Sequence, residues 1–198
     1  KLEVAACHRS LGTVYHNRGD HERALEHFRR SLALSSVVGD TKGIAGSYNN
    51  LGIVYRFKDD LPRAGECYRL SIDLFSRVND QQGMAAGMNN LATILELEGK
   101  YDEALEYSFR ALDKRKKTRF RPGMGFSYYG IGKIYQSKGE IDKAASYAEK
   151  SLQIRRELGD KLGQAYSSLL LGELAFAQQR FGEAIGLCRQ ALEDFERI

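Results

Sequence analysis

The sequence predicts an all-α solenoid of five helix–turn–helix repeats, ten antiparallel helices in all. Two observations carry that prediction. The 198-residue chain repeats itself at a shift of 40, with alanine recurring at Ala24, Ala64, Ala104, Ala144 and Ala184. It also holds only two prolines, and proline breaks helix interiors. Self-similarity at a fixed period of 20–50 residues marks a repeat architecture, in which stacked units bury a continuous core. The repeats run at about 1–40, 41–80, 81–120, 121–160 and 161–198, as one array.

Each element follows from the columns of that alignment. The first helix of a unit carries Leu11, Leu51, Leu91, Ile131 and Leu171, each followed by a small residue, Gly12, Gly52, Ala92, Gly132 and Gly172. Four positions on come Tyr15, Tyr55, Leu95, Tyr135 and Ala175. That spacing keeps apolar residues on one helical face. In the second unit this helix is expected from the residue after Asp40 to near Phe57, and its partner from Leu61 to Val78. The turns between them, such as Arg18-Gly19-Asp20 and Lys138-Gly139-Glu140, place glycine at a left-handed C-cap and an acid at the next N-terminus. The second helix brings in the alanine column and closes on Leu32, Ile72, Leu112, Leu152 and Leu192. Small residues in the Gly12 and Ala24 columns let the two helices approach closely. Between units, Gly39-Asp40, Asn79-Asp80 and Gly159-Asp160 read as a C-cap followed by an N-cap. Arg119-Phe120 departs from that pattern, with Pro122 acceptable near a helix start. Gly43, Gly83, Gly123 and Gly163 mark tight contacts with the preceding helix.

The unit reads L-G-x-x-Y, then nine residues to alanine, then a large residue four further on at Phe28 and Tyr68. It resembles the tetratricopeptide repeat family, whose pattern is W-x-x-L-G-x-x-Y…A-x-x-x-F with a usual period of about 34. The tryptophan column holds His8, Tyr48, Met88, Tyr128 and Ser168. The 40-residue unit is similar to those of Pins-type scaffolds and bacterial regulatory arrays. Asn49-Asn50-Leu51 and Asn89-Asn90-Leu91 are similar to kinesin light chain repeats.

The resemblance implies a right-handed superhelix whose concave face is lined by the first helix of each unit. It implies partner-binding positions at Arg9, Asn49, Asn50, Ile53, Arg56, Asn89, Asn90, Thr93, Phe126, Tyr129, Lys133, Tyr166, Leu169 and Phe176. An asparagine amide donates to and accepts from a peptide backbone at once. The competing reading has Asn49 and Asn89 serving only hydrogen bonds between repeats. Phe126, Tyr129, Tyr166, Leu169 and Phe176 make the last two units apolar, as a ligand surface or as the seat of a following helix or a second copy. Self-association through the C-terminal repeat is therefore an expectation.

Composition excludes other classes. Apolar residues at 42% and charged residues at 28% give a globular balance. The apolar runs fall short of the roughly 18 residues of a membrane span. A net charge of +4, from 30 basic and 26 acidic residues, makes no case for nucleic acid. Arg110, Lys114, Arg115, Lys116, Lys117, Arg119 and Arg121 form a basic run. It suits a helix C-terminus or, alternatively, an acidic partner or nucleic acid. Cys7, Cys67 and Cys188 share no metal or disulfide spacing, as expected of cytoplasmic thiols. No catalytic, metal or cofactor motif is present. A chain starting at Lys1 without a signal peptide is expected to be excised from a longer protein. The expected role is a protein–protein interaction scaffold or adaptor holding a peptide. The alternative is a sensor or regulatory module of a larger signalling protein, bacterial ones included.

Overall fold

The computed structural model describes residues 1–197, and ten α-helices run through them: α1 (Leu2–Asn17), α2 (His21–Val37), α3 (Thr41–Phe57), α4 (Leu61–Arg77), α5 (Gln81–Leu97), α6 (Tyr101–Lys117), α7 (Arg121–Ser137), α8 (Ile141–Glu157), α9 (Lys161–Ala177) and α10 (Phe181–Glu196). The helices form two compact units that divide between Ile94 and Leu95, inside α5.

The turns obey one rule. The second residue beyond each of the first nine helices has a positive φ, at Gly19, Gly39, Asp59, Asn79, Gly99, Arg119, Gly139, Gly159 and Gln179. Glycine adopts that conformation without steric cost, and aspartate and asparagine tolerate it. Arg119, at φ 53°, and Gln179, at φ 61°, are the bulky exceptions. Five helices then start on an aspartate whose carboxylate accepts a first-turn backbone N–H: Asp20 from Arg23, Asp40 from Gly43, Asp60 from Arg63, Asp80 from Gly83 and Asp160 from Gly163. Such a cap is worth about 0.5–2 kcal/mol over alanine. Lys100, Phe120, Glu140 and Arg180 begin α6, α7, α8 and α10 without one.

In the first unit, Ala24, Leu25, Phe28, Leu51, Val54 and Cys67 form a buried cluster, with Tyr15, Tyr48 and Tyr55 packed on it. Its helices close through glycine against an aromatic ring. A Cβ added to Gly12 would sit 2.5 Å from Phe28 Cε1, and one added to Gly52 would sit 2.6 Å from Tyr68 Cε1. Ser47 donates to Ser31 at 3.1 Å across the buried α2–α3 seam.

The second unit keeps the plan with different fillings. Ala144, Ala148, Leu152, Leu170, Leu171 and Leu174 make its core. The positions equivalent to Phe28 and Tyr68 hold Ser108, Ala148 and Cys188. Backbone now meets backbone: a Cβ on Gly132 would lie 3.3 Å from the Ala144 carbonyl oxygen, and one on Gly172 would lie 3.4 Å from that of Ala184. The alanine column is sealed throughout, from 0% exposure at Ala24, Ala64, Ala104 and Ala144 to 5% at Ala184. The leucine columns hold inside the chain and open at its ends. Leu11 and Leu192 are exposed, whereas Leu51, Leu91, Ile131, Leu112 and Leu152 are buried.

Candidate partner-binding faces

In the first unit the candidate residues on α1, α3 and α5 are all half-buried: Arg9, Asn49, Asn50, Ile53, Arg56, Asn89, Asn90 and Thr93. They form a polar layer. Asn90 Nδ2 donates to Asn49 Oδ1 at 2.9 Å, so two asparagines of successive repeats grip each other. Thr93 Oγ1 bonds back to the Asn89 carbonyl at 3.2 Å. The aliphatic stem of Arg9 lies alongside Gly46, with Cδ 3.7 Å from where a Cβ would stand. Arg56 holds its guanidinium 4.5 Å from the Phe57 ring. His16 meets that ring edge-on at 4.8 Å. The His16 imidazole is pushed below its ordinary pKa by burial, then by His21 and Arg56.

In the second unit the face formed by α7 and α9 is aromatic. Phe126 is 64% exposed and Phe176 65%; Tyr166 is exposed, and Tyr129 and Leu169 are half-buried. Tyr129 meets Tyr166 edge-on at 6.4 Å, and Tyr166 meets Phe195 at 5.2 Å. Burial, with Glu173 nearby, raises the Tyr129 phenol. Lys133 Nζ donates to Gln136 Oε1 at 2.8 Å, and Gln136 donates on to Glu173 Oε2 at 2.9 Å. The lysine is thus tied into a polar chain on its own surface. Phe176 stands apart, edge-on to Phe181 at 5.6 Å.

The basic run at the end of α6 breaks at Arg115, which is buried, not displayed. Its Nη1 donates to the Gly123 carbonyl at 2.7 Å and to Ser127 Oγ at 2.8 Å. Burial pushes the guanidinium down to about 10, so it stays charged at neutral pH. Forty residues on, Arg155 is buried in the same way on α8. Its Cζ lies 5.4 Å from the Phe126 ring centre and 5.6 Å from that of Tyr129, distances at which cation–π attraction acts. Arg155 is the functional candidate that sequence reasoning missed. A signal was there: the column Ser35, Phe75, Arg115, Arg155 and Phe195 puts two arginines where the other units hold a buried serine, a buried phenylalanine and a half-buried one.

A family model described as a MalT-like TPR region matches residues 3–196. The chain belongs to the MalT-like tetratricopeptide repeat family. These MalT-like repeats are similar to the solved structure of BtubC (BKLC) from P. vanneervenii, at 22% identity and a TM-score of 0.78, over 94% of this chain and 78% of that one. A Podosopora anserina protein of kinesin light chain type, with nearly identical TPR-like repeats, shares 17% identity at a TM-score of 0.73, over 100% of this chain and 97% of its own. A Rap protein complexed with competence and sporulation factor shares 14% identity at a TM-score of 0.86; this chain covers 54% of it, along 96% of its own length. At such identities the likeness is one of fold, a helical solenoid of five repeats. The Pins-type likeness remains a resemblance of period. No curated protein sequence matches the chain. Among the described residues of the MalT-like repeats, no helix is long and apolar enough to cross a membrane.

Proposed function

We propose that the chain is a non-catalytic, cytoplasmic interaction scaffold, one array of five repeats, whose odd-numbered helices bind a segment of another protein. The observation that carries this reading is the aromatic face of α7 and α9, where Phe126, Tyr166 and Phe176 stand exposed on helices whose other faces are buried. Apolar surface left open on an otherwise well-packed protein marks an interface, and aromatic anchors dominate interface energetics. The half-buried amides of the first unit, Asn49, Asn50, Asn89 and Asn90, supply the complementary chemistry, since an amide can both donate to and accept from a peptide main chain. Ile53 and Thr93 sit between them, with Arg9, Arg56 and Lys133 available to acidic side chains. Leu169 extends the apolar face, and self-association through the C-terminal repeat is the competing use of it.

The Rap structure, complexed with competence and sporulation factor, favours a second reading in which the array is the sensing part of a larger signalling protein. Both readings need a bound segment, and one experiment tests that. A displayed library of random dodecamers is panned on the chain, and selected peptides are titrated by fluorescence anisotropy. Tyr129→Ala, or Asn49→Ala with Asn89→Ala, should weaken binding roughly ten- to a hundredfold, as loss of about 0.5–1.5 kcal/mol per hydrogen bond implies. Tyr129→Ala removes a ring packed on the core and Asn49→Ala the bond from Asn90, so both should also lower the melting temperature, and binding is compared where each variant is folded. No enrichment, or peptides indifferent to both variants, removes the reading.

A further inference from the structure

A cavity of about 310 Å³ opens beside α7 within the second unit, walled by Phe126, Tyr129, Leu162 and Tyr166, with Arg155 and Asp160 at its base. Most of its lining is apolar, yet it contains a guanidinium whose side chain is only 6% exposed. Arginine does not shed its charge in proteins; burial weakens its hold on the proton without removing the charge at neutral pH. The positive charge is poorly matched. The Arg155 Nε–H has no hydrogen-bond partner. Its nearest carboxylate, Asp160, lies 3.8 Å from Nη1, beyond hydrogen-bond length, and already caps the Gly163 N–H through Oδ1 at 2.9 Å. The rings of Phe126 and Tyr129 attract the cation but give its fork of N–H donors no acceptor. Arg115 also leaves its Nε–H unpartnered, but its Nη1 meets a carbonyl and a hydroxyl, which Arg155 lacks.

We propose that this cavity is a binding site for an apolar monocarboxylate, a carboxylate borne on one large aromatic or aliphatic group, held by Arg155 with Phe126, Leu162 and Tyr166 around the apolar part. A planar carboxylate matches the guanidinium fork. The volume lies at the small end of ligand pockets, about 300–1,000 Å³, enough for one such group. In an extended peptide successive side chains point to opposite faces. An acidic side chain and its apolar neighbour would therefore not enter together, whereas a single residue with a free carboxyl brings both chemistries at once. Such a group is a free acid or the last residue of a partner chain. The assignment rests on the reading of the α7–α9 face as a binding surface, but its probe is a single residue, so a failed library selection and a failed titration are distinguishable.

The test is titration of N-acetylphenylalanine, and of its amide, into the whole chain, followed by backbone amide chemical shifts. The acid should bind at least tenfold more tightly than the amide, shifting residues of α7 and the start of α9. Arg155→Met should abolish that preference. Phe126→Ala, at an exposed position, should weaken acid and amide alike by severalfold. Arg115→Met should leave the preference intact. Equal binding of acid and amide, an undiminished preference in a folded Arg155→Met, or shifts elsewhere overturn the proposal; should Arg155→Met not fold, Phe126→Ala and the acid–amide ratio decide it. A pentapeptide of four alanines and a C-terminal phenylalanine, if tenfold tighter than the single residue, supports the site with a chain end as occupant. Equal affinity supports it with a free acid.

Discussion

The two units fill one structural slot in opposite ways. Near the end of each second helix, a side chain lies against a glycine of the next first helix. In one unit that side chain is Ser35 against Gly43 and Phe75 against Gly83; in the other it is Arg115 against Gly123 and Arg155 against Gly163. A glycine there leaves a flat patch of backbone on which a ring or a guanidinium can lie. Phenylalanine uses the patch for packing alone. Arginine buries its stem there and carries a charge inward, which is costly unless acceptors meet it. The slot is thus generic in shape and specific in chemistry, and only the second unit lays a charge in it.

Exchanging the fillings should break the symmetry most. Phe75→Arg loses a buried ring and places a cation where the position matching Ser127 is Gly87, with no hydroxyl to accept from it. A loss of about 3–5 kcal/mol is expected, as for other uncompensated buried charges, measured by urea unfolding. A loss under 1 kcal/mol would mean that the slot accepts either residue. The reverse exchange is milder. Arg115→Met removes a costly charge while keeping volume, and the Gly123 carbonyl keeps its place in the first turns of α7. The expected change lies between neutral and a gain of about 2 kcal/mol. A large loss would show that the Arg115 hydrogen bonds hold α6 to α7.

The smallest effect separates the units by pH. All four histidines, His8, His16, His21 and His27, lie in the first. With its pKa depressed in the fold, His16 favours the folded state while neutral. That contribution is present above the ordinary histidine value of about 6.5 and lost as pH falls through it. Taking the protein from pH 7.5 to 5.5 should cost under about 1 kcal/mol, given solvent screening of a partly exposed ring. Amide exchange should show faster opening confined to the first unit, and His16→Gln should remove most of the change. Equal acceleration in both units would rule out His16 as the cause.

The sequence carried the architecture because each architectural residue has a local or periodic reason. The Ala24 column is small since two helices cross there, and Asp40 or Gly39 acts within its own turn. Five columns repeated five times made those reasons visible. The faces were legible as positions but not as states. Asn90 pairing with Asn49 depends on side-chain rotamers in two repeats, which no spacing encodes. Arg115 looked like one more cation at a helix end, because its neighbours Lys114, Lys116 and Lys117 are what the helix dipole favours. Its burial follows from facing Gly123, a relation between helices. The Arg155 cavity escaped for the same reason, with its walls on α7 and α9 and its base on α8.

The positive-φ residue that recurs at every twentieth position acts as punctuation, and it sets the grammar by which such a chain can change length. Removing or duplicating forty residues keeps every first helix a first helix, so the faces stay in phase and only the reach of the array alters. Removing twenty leaves each turn intact yet swaps the parts: downstream, each first helix would be asked to pack as a second one. Length is therefore quantised in whole repeats, and an insertion of one repeat between residues 160 and 161 would part Arg155 from Leu162, Gly163 and Tyr166 while leaving every helix able to form.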